Sequence, residues 1–220
     1  MRRLIFNRIV DDLSKTEFFN SFRFRKRDST FISSNREGWT SVSLNHWIDK
    51  YSGNLLVIYP IYGVKFYVLS KWFEKFSFKS IKDQRDNYNI GFVGTMINHS
   101  IDKFVFELNG YGFEDDLKLL RNEIIECANY VFNEYSTLPK LYEKIIEPIL
   151  LGETELPDVG ADWIFEDLTL CRIINPDNYD KLKVIIRAHI EWMYSRKEPN
   201  IISYYNRLDE IFSYLESLKF

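Results

Sequence analysis

Six acidic residues lie within fifteen positions in the second half of the chain, with a tryptophan among them. They are Glu153, Glu155, Asp158, Asp162, Glu166 and Asp167, and the tryptophan is Trp163. Carboxylates at an interface steer a basic partner toward it, and an aromatic side chain often anchors such a contact. The cluster predicts a surface that binds a basic protein. The alternative is a solvated loop followed by the start of a helix.

A second charged cluster lies near the start of the chain and has the opposite sign. Its members are Arg23, Arg25, Lys26 and Arg27, and Trp39 follows downstream. Alternation along a strand places Arg23 and Arg25 on one side, away from the core. Basic side chains beside an aromatic ring can bind phosphate and stack on bases, which makes this cluster a candidate nucleic-acid site. The alternative is a solvated edge strand whose charge discourages pairing with another sheet.

Histidines are the remaining candidates for chemistry, and the chain has three: His46, His99 and His189. Each alone is more typical of a structural or solvated residue than of a catalytic one. His99 lies near Asp102, and Asp102-Lys103 followed by Glu107 has the residue types of a metal-dependent nuclease in the wrong order. An unrecognised nuclease or other hydrolase site is therefore the second functional hypothesis.

Motifs with an established mechanism are missing from the sequence. We find no GxxxxGK[ST] or GxGxxG phosphate loop, no HExxH, no paired CxxC and no GxSxG elbow. We therefore predict no catalytic residues, no metal and no cofactor, and we favour a non-enzymatic protein over an enzyme. The two cysteines, Cys127 and Cys171, are predicted to be small buried apolar groups rather than a disulfide.

The bulk composition predicts a globular protein in the cytoplasm. Apolar residues make up 45% of the 220 positions and charged residues 28%, which is ordinary for a folded domain. The apolar start Leu4-Ile5-Phe6 is interrupted by Asn7 and Arg8, so no secretory signal is predicted. The apolar stretch Leu55–Trp72 contains proline, glycine and two lysines, which argues against a membrane span.

The periodicity of the chain changes near residue 112, and this change predicts an α+β fold. An amphipathic pattern over residues 2–20 predicts an N-terminal helix. Alternating patterns between residues 22 and 109 predict about five or six antiparallel strands, of which residues 88–97 and 103–108 form a closing hairpin, and the polar residues 80–87 predict a loop. From residue 113 a 3.6-residue period predicts a helical bundle that ends with a helix over residues 201–218. The apolar side of its helix over residues 176–196 comprises Ile185, Ile186, His189, Trp192 and Met193. We expect residues 1–112 and residues 113–220 to form one continuous structural unit.

Charge is distributed unevenly along the chain. Residues 1–90 hold 16 Lys and Arg against 9 Asp and Glu, and residues 91–220 hold 13 against 23. Such asymmetry can indicate an electrostatic interaction face, whereas the simpler explanation is neutralisation on one folded surface.

One run of packing residues resembles a known family. Phe19 at a helix end is followed by S-F-R-F-R-K-R at positions 21–27 and then by Thr30-Phe31. This run is similar to the opening of a family of uncharacterised bacterial α+β domains often found near polymorphic toxins. Leu55–Gly63 and Phe132–Leu141 extend the resemblance over about residues 5–150. Ser21 stands where the family usually has glycine, and no functional residues carry over.

The resemblance implies an immunity-like role, which agrees with the acidic cluster. The leading hypothesis is a non-enzymatic protein that occludes a partner, such as a basic toxin, through its acidic surface. The alternatives are the hydrolase and the nucleic-acid-binding module described above.

Overall fold

A computed structural model describes residues 2–97, 101–156, 161–198 and 201–220, with the backbone alone at position 161. The chain divides into two compact units. Unit 1 comprises Met1–Lys65 and Ile90–Glu134, and unit 2 comprises Phe66–Asn89 and Tyr135–Phe220. The boundary predicted after residue 112 falls inside unit 1, and the second half of the chain contributes to both units.

Strands and helices confirm the predicted α+β class. The strands are β1 Arg23–Arg25, β2 Thr30–Ser34, β3 Gly38–Ile48, β4 Leu55–Phe66, β5 Ile90–Phe92 and β6 Phe104–Glu107. The helices are α1 Arg2–Ser14, α2 Tyr67–Ser70, α3 Ile81–Asp86, α4 Phe113–Glu134, α5 Leu138–Leu141, α6 Glu147–Leu151, α7 Ala161–Ile174, α8 Tyr179–Ser195, α9 Ile201–Tyr205 and α10 Leu208–Ser217.

The sheet has six strands in the order β1-β2-β3-β4-β5, and β6 also pairs with β4. The sequence predicts that β5 and β6 pair with each other in a closing hairpin, but both strands pair with β4. Tyr62 of β4 is opposite Phe92 of β5, and Leu56 of β4 is opposite Phe106 of β6. At 12 residues, β4 is long enough to pair with each short strand over a separate stretch.

Helices α1 and α4 pack with the sheet in unit 1. The ring of Phe6 on α1 stacks on His46 of β3 with 3.9 Å between centroids, and Phe113 of α4 lies 5.7 Å from Phe106 of β6. The buried members of this core include Ile9, Leu13, Val42, Leu44, Leu56, Ile58, Leu120 and Ile124. Helix α4 therefore belongs with the sheet and not with the helices that follow it.

Unit 2 is built around Phe165 of α7. Its ring lies 4.8 Å from the ring of Phe73 and 5.7 Å from that of Tyr204. The Arg172 guanidinium, about two helical turns later on α7, donates to the carbonyls of Leu215 and Leu218 and so caps the end of α10. These contacts join segments that lie far apart in the sequence.

Two helical features of unit 2 differ from the sequence prediction. Residues 80–87 were expected to form a polar loop, but Ser80 caps α3 by accepting a hydrogen bond from the Asp83 amide at 3.1 Å. The predicted last helix, residues 201–218, is interrupted between α9 and α10. The serine followed three residues later by an acid was the overlooked signal for α3.

Helix α6 ends at Gly152, and this end shapes the acidic segment. A π-helical turn, Tyr142–Ile146, joins α5 to α6 just before Pro148, whose ring nitrogen cannot donate to an earlier carbonyl. Gly152 has φ of 76°, a left-handed conformation that glycine adopts at little cost. The chain therefore leaves α6 in a tight turn.

The charge asymmetry along the chain is neutralised within the units. Unit 1 contains 14 basic and 14 acidic residues, and unit 2 contains 15 and 18. In unit 1, Arg8 pairs with Glu114 at 2.6 Å and Arg121 pairs with Asp12 at 3.2 Å. The charge imbalance that remains is local, because residues 145–171 hold seven acidic and no basic side chains.

Candidate functional site

The structure divides the predicted acidic cluster into an exposed part and a buried part. Glu153 and Glu155 are exposed in the segment that follows α6. Asp162 and Glu166 are buried on α7, at 8% and 9% exposure. Asp158 lies outside the described residues. The acidic surface predicted from the sequence therefore loses two of its charges to the interior of unit 2.

Asp162 binds three side chains in that interior. Its Oδ2 accepts a hydrogen bond from Ser77 Oγ at 2.9 Å and lies 3.2 Å from Lys79 Nζ. Its Oδ1 accepts a hydrogen bond from the Tyr204 hydroxyl. Burial and the neighbouring Asp162 raise the pKa of Tyr204, so its hydroxyl remains a donor. The carboxylate thus ties the start of α7 to α9 and to the segment before α3.

A small polar cavity adjoins this network, and Trp163 is one of the residues that line it. The cavity has a volume of about 20 Å³ and is lined in part by Lys79, Gln84, Asp162, Trp163 and Glu166. That volume holds about one water molecule, so an organic substrate does not fit. Trp163 is half-buried and its ring lies 6.5 Å from that of Tyr88. It therefore packs within unit 2 and does not project as an anchor.

Asp167 is half-buried on α7 and follows Glu166 in the chain. Burial and the negative charge of Glu166 raise the pKa of Asp167 well above 3.8. A raised folded-state pKa means that the folded protein binds the proton more tightly, so stability falls as pH rises above about 3.8.

We expect Asp167→Asn to raise the melting temperature at pH 7 and to have a smaller effect as pH falls toward 4. Thermal melts across this pH range test the prediction, with the exposed Glu153→Gln as a control. A stabilisation that does not change with pH, or a lower melting temperature at pH 7, would contradict it.

An open groove of about 490 Å³ lies beside the exposed acidic residues. Its lining residues are Ile149, Gly152, Thr154, Glu155, Leu156, Ile185, His189 and Trp192. The side chains of Ile149 and Leu156 are almost fully buried, whereas Trp192 is 41% exposed. The groove therefore combines an apolar floor, a partly exposed indole and a carboxylate.

Helix α8 forms one wall of this groove. Ile185, His189 and Trp192 repeat at the spacing of one helical face. The sequence placed these three on the same apolar side as Ile186 and Met193, which are indeed buried. The apolar arc of α8 is wider than one core-facing stripe, and this excess width was the available signal for the groove.

Trp192 is held between neighbours on its own helix. Its ring stacks with His189 at 5.6 Å between centroids, and the Arg196 guanidinium lies 4.6 Å from its centroid. A stacked and cation-bound indole loses less side-chain freedom when a partner binds. Trp192 is therefore a better anchor than Trp163, the aromatic that the sequence indicated.

The basic cluster near the start of the chain has a different arrangement. Arg23, Lys26 and Arg27 are exposed, and Arg25 pairs with Asp28 at 2.6 Å. Trp39 is only 7% exposed, so its ring is not available to stack on a base. The arginines remain at the β1–β2 hairpin without the exposed aromatic that the nucleic-acid hypothesis assigned to them.

The hydrolase hypothesis finds little support among the described side chains. His99 lies outside the described residues, and Asp102 accepts a hydrogen bond from Thr95 at 3.1 Å. In the part of the chain that the structure describes, no three His, Cys, Asp or Glu side chains are placed to hold a metal ion.

Both cysteines are free and buried, as predicted from the sequence. Burial raises the pKa of each thiol to about 11. Because the thiolate is the reactive form, both are poor nucleophiles at neutral pH.

No family model, no curated protein and no solved structure matches the chain. The resemblance to the immunity-like family accordingly stays a prediction. Within the described ranges, none of the helices has the length and apolar character to cross a membrane.

Proposed function

We propose that this protein binds a basic protein partner, in the manner of an immunity protein, through the groove of unit 2 and its acidic rim. The observation that carries the proposal is the position of Glu155 in an open groove that also exposes Trp192. Recognition sites between proteins commonly combine a central aromatic anchor with a charged rim.

The size and lining of the groove favour the binding of a side chain or short segment of the partner over attraction by charge alone. The partly exposed Ile185 and Trp192 supply apolar surface that water leaves when a partner binds. Glu153 and Glu155 lie in a segment of the chain that has no basic residue from position 145 to position 171. The rim therefore attracts Lys or Arg on the partner.

The partner can be obtained by site-specific cross-linking. A photoreactive residue replaces Leu151, which is 71% exposed at the end of α6 and does not line the groove. Cross-linking in the source cells then captures what binds beside the groove, and the captured protein is identified and prepared separately for affinity measurements. We expect it to form a one-to-one complex whose dissociation constant increases with salt.

Charge reversal at the rim tests the proposal directly. We expect Glu153→Lys combined with Glu155→Lys to weaken the complex by about 10- to 100-fold at low salt, mainly by slowing association. The double substitution should also flatten the salt dependence, since fewer attractive charges remain to be screened.

The matched control is Glu37→Lys, which reverses an exposed charge in the turn between β2 and β3 of unit 1. Its affinity should equal that of the wild type. If the double variant binds as tightly as Glu37→Lys, the acidic rim is not the binding site.

A further inference from the structure

We infer that the groove receives a single amphipathic α-helix of the partner, with its apolar face on Trp192 and with Lys or Arg on the side facing Glu153 and Glu155. This inference rests on the proposed function and specifies the form of its ligand. Three observations support it. They are the backbone hydrogen bonds in the groove walls, the small residue on the outer face of α8, and the exposed carboxylates beside the groove.

The length of the groove corresponds to about two turns of helix. Ile185 and Trp192 lie seven residues apart on α8, which is about 10 Å along the helix axis at 1.5 Å per residue. A helix lying along this wall presents residues at three- or four-residue spacing to it, the pattern by which helices bind in grooves.

On the α6 side of the groove, the backbone amides of residues 152–154 are already engaged within the chain. The amide of Gly152 donates to the Ile149 carbonyl at 3.1 Å, and the amides of Glu153 and Thr154 both donate to the Pro148 carbonyl. The opposite wall is α8, whose backbone hydrogen bonds are internal. A ligand that satisfies its own backbone groups therefore fits better than one that needs to add a strand.

The outer face of α8 adjoins the groove at Trp192 and extends the surface that a second helix can contact. Val184 and Ala188 lie outside the groove lining and continue from Trp192 at four-residue intervals, and all three are exposed. Alanine at the middle position leaves room between two larger apolar side chains. Packed helices lie 8–10 Å apart, with the distance set by the side chains at the contact.

The charges around the groove determine whether a basic or an acidic helix fits. Lys181 and Arg196 are already engaged near the groove: Lys181 Nζ donates to the Leu150 carbonyl at 2.8 Å, and Arg196 lies over Trp192 and 3.8 Å from Glu198. Glu153 and Glu155 remain exposed on the other side. The complementary ligand is an apolar helix face with basic residues at its border.

Synthetic peptides test the inference without knowledge of the natural partner. The probe is an amphipathic leucine–lysine peptide of about four turns, labelled for fluorescence anisotropy. A second peptide has the same charge and composition except for two central prolines, which break the helix. A third carries glutamate in place of lysine.

We expect the helical lysine peptide to bind at least about tenfold more tightly than the proline peptide, and the glutamate peptide not to bind. Ala188→Gln, a bulkier residue with good helix propensity, and Trp192→Ala should each weaken the helical peptide by about tenfold or more. Trp47→Ala is the control, because Trp47 has the same 41% exposure but lies in unit 1.

The outcomes separate the two proposals. Equal binding of the helical and proline peptides, with both weakened by Glu153→Lys and Glu155→Lys, would overturn the helical form and leave the acidic groove supported. Binding that is equally affected by Trp192→Ala and Trp47→Ala would overturn the helix assignment as nonspecific adsorption. Loss of the charge-reversal effect for the cross-linked partner would overturn the proposed function itself.

Discussion

Replacing Asp162 by asparagine is expected to lower the free energy of unfolding of the protein by about 3 kcal/mol. The substitution keeps the size of the side chain but removes its charge. The buried carboxylate accepts hydrogen bonds from Ser77 and Tyr204 and pairs with Lys79, whose side chain is 38% exposed. An amide group cannot accept at both positions, and it places a donor toward Ser77 or Tyr204.

Urea unfolding, monitored by tryptophan fluorescence, measures this loss of unfolding free energy. The same loss should lower the melting temperature by about 6–12 °C in a chain of this length. Tyr204→Phe and Ser77→Ala each remove one donor and should cost about 1–2 kcal/mol. Glu153→Gln removes an exposed carboxylate and should change stability by less than about 0.5 kcal/mol. A loss for Asp162→Asn no larger than that of Glu153→Gln would show that the network does not stabilise unit 2.

Replacing Trp192 by alanine is expected to weaken the partner complex by about 2–4 kcal/mol, or about 30- to 1,000-fold. The indole is partly exposed, it lines the groove, and its stacking with His189 and Arg196 holds it in place before binding. Most of the effect should appear in the dissociation rate, because contacts at the centre of an interface hold the complex together after it forms.

The same substitution should leave the fold intact, since Trp192 lies on the exposed side of α8 while Ile186 and Met193 face the core. Surface plasmon resonance with the partner identified by cross-linking and prepared in free form measures the rates, and Trp47→Ala is again the matched control. Equal dissociation rates for Trp192→Ala and the wild type would remove Trp192 from the interface.

Periodicity in the sequence predicted the parts of the fold that depend on local pattern. Helix α4 repeats its apolar residues over 22 positions, and the alternation in β3 places Val42 and Leu44 in the core. The pairing of β5 and β6 with β4 was not predictable in the same way. Strand partners depend on contacts between distant segments, and two short strands near each other in sequence resemble a hairpin.

The sequence predicted two residues of the proposed site but not its geometry. Glu153 and Glu155 follow a helix end and are exposed. The burial of Asp162 depends on Ser77 and Tyr204, which lie 85 and 42 residues away, so no local pattern revealed it. Trp163 was favoured over Trp192 because it lies among the acids in the sequence, whereas the groove places Glu155 and Trp192 together through the fold.

The indole N–H signals of the five tryptophans report directly whether the partner binds at the groove of unit 2. Each indole gives one signal in a ¹H–¹⁵N spectrum, and substitution by phenylalanine assigns it. On titration with the basic partner, we expect the signal of Trp192 to shift or broaden while that of the equally exposed Trp47 stays in place. A spectrum in which Trp47 moves and Trp192 does not would contradict binding at the groove of unit 2.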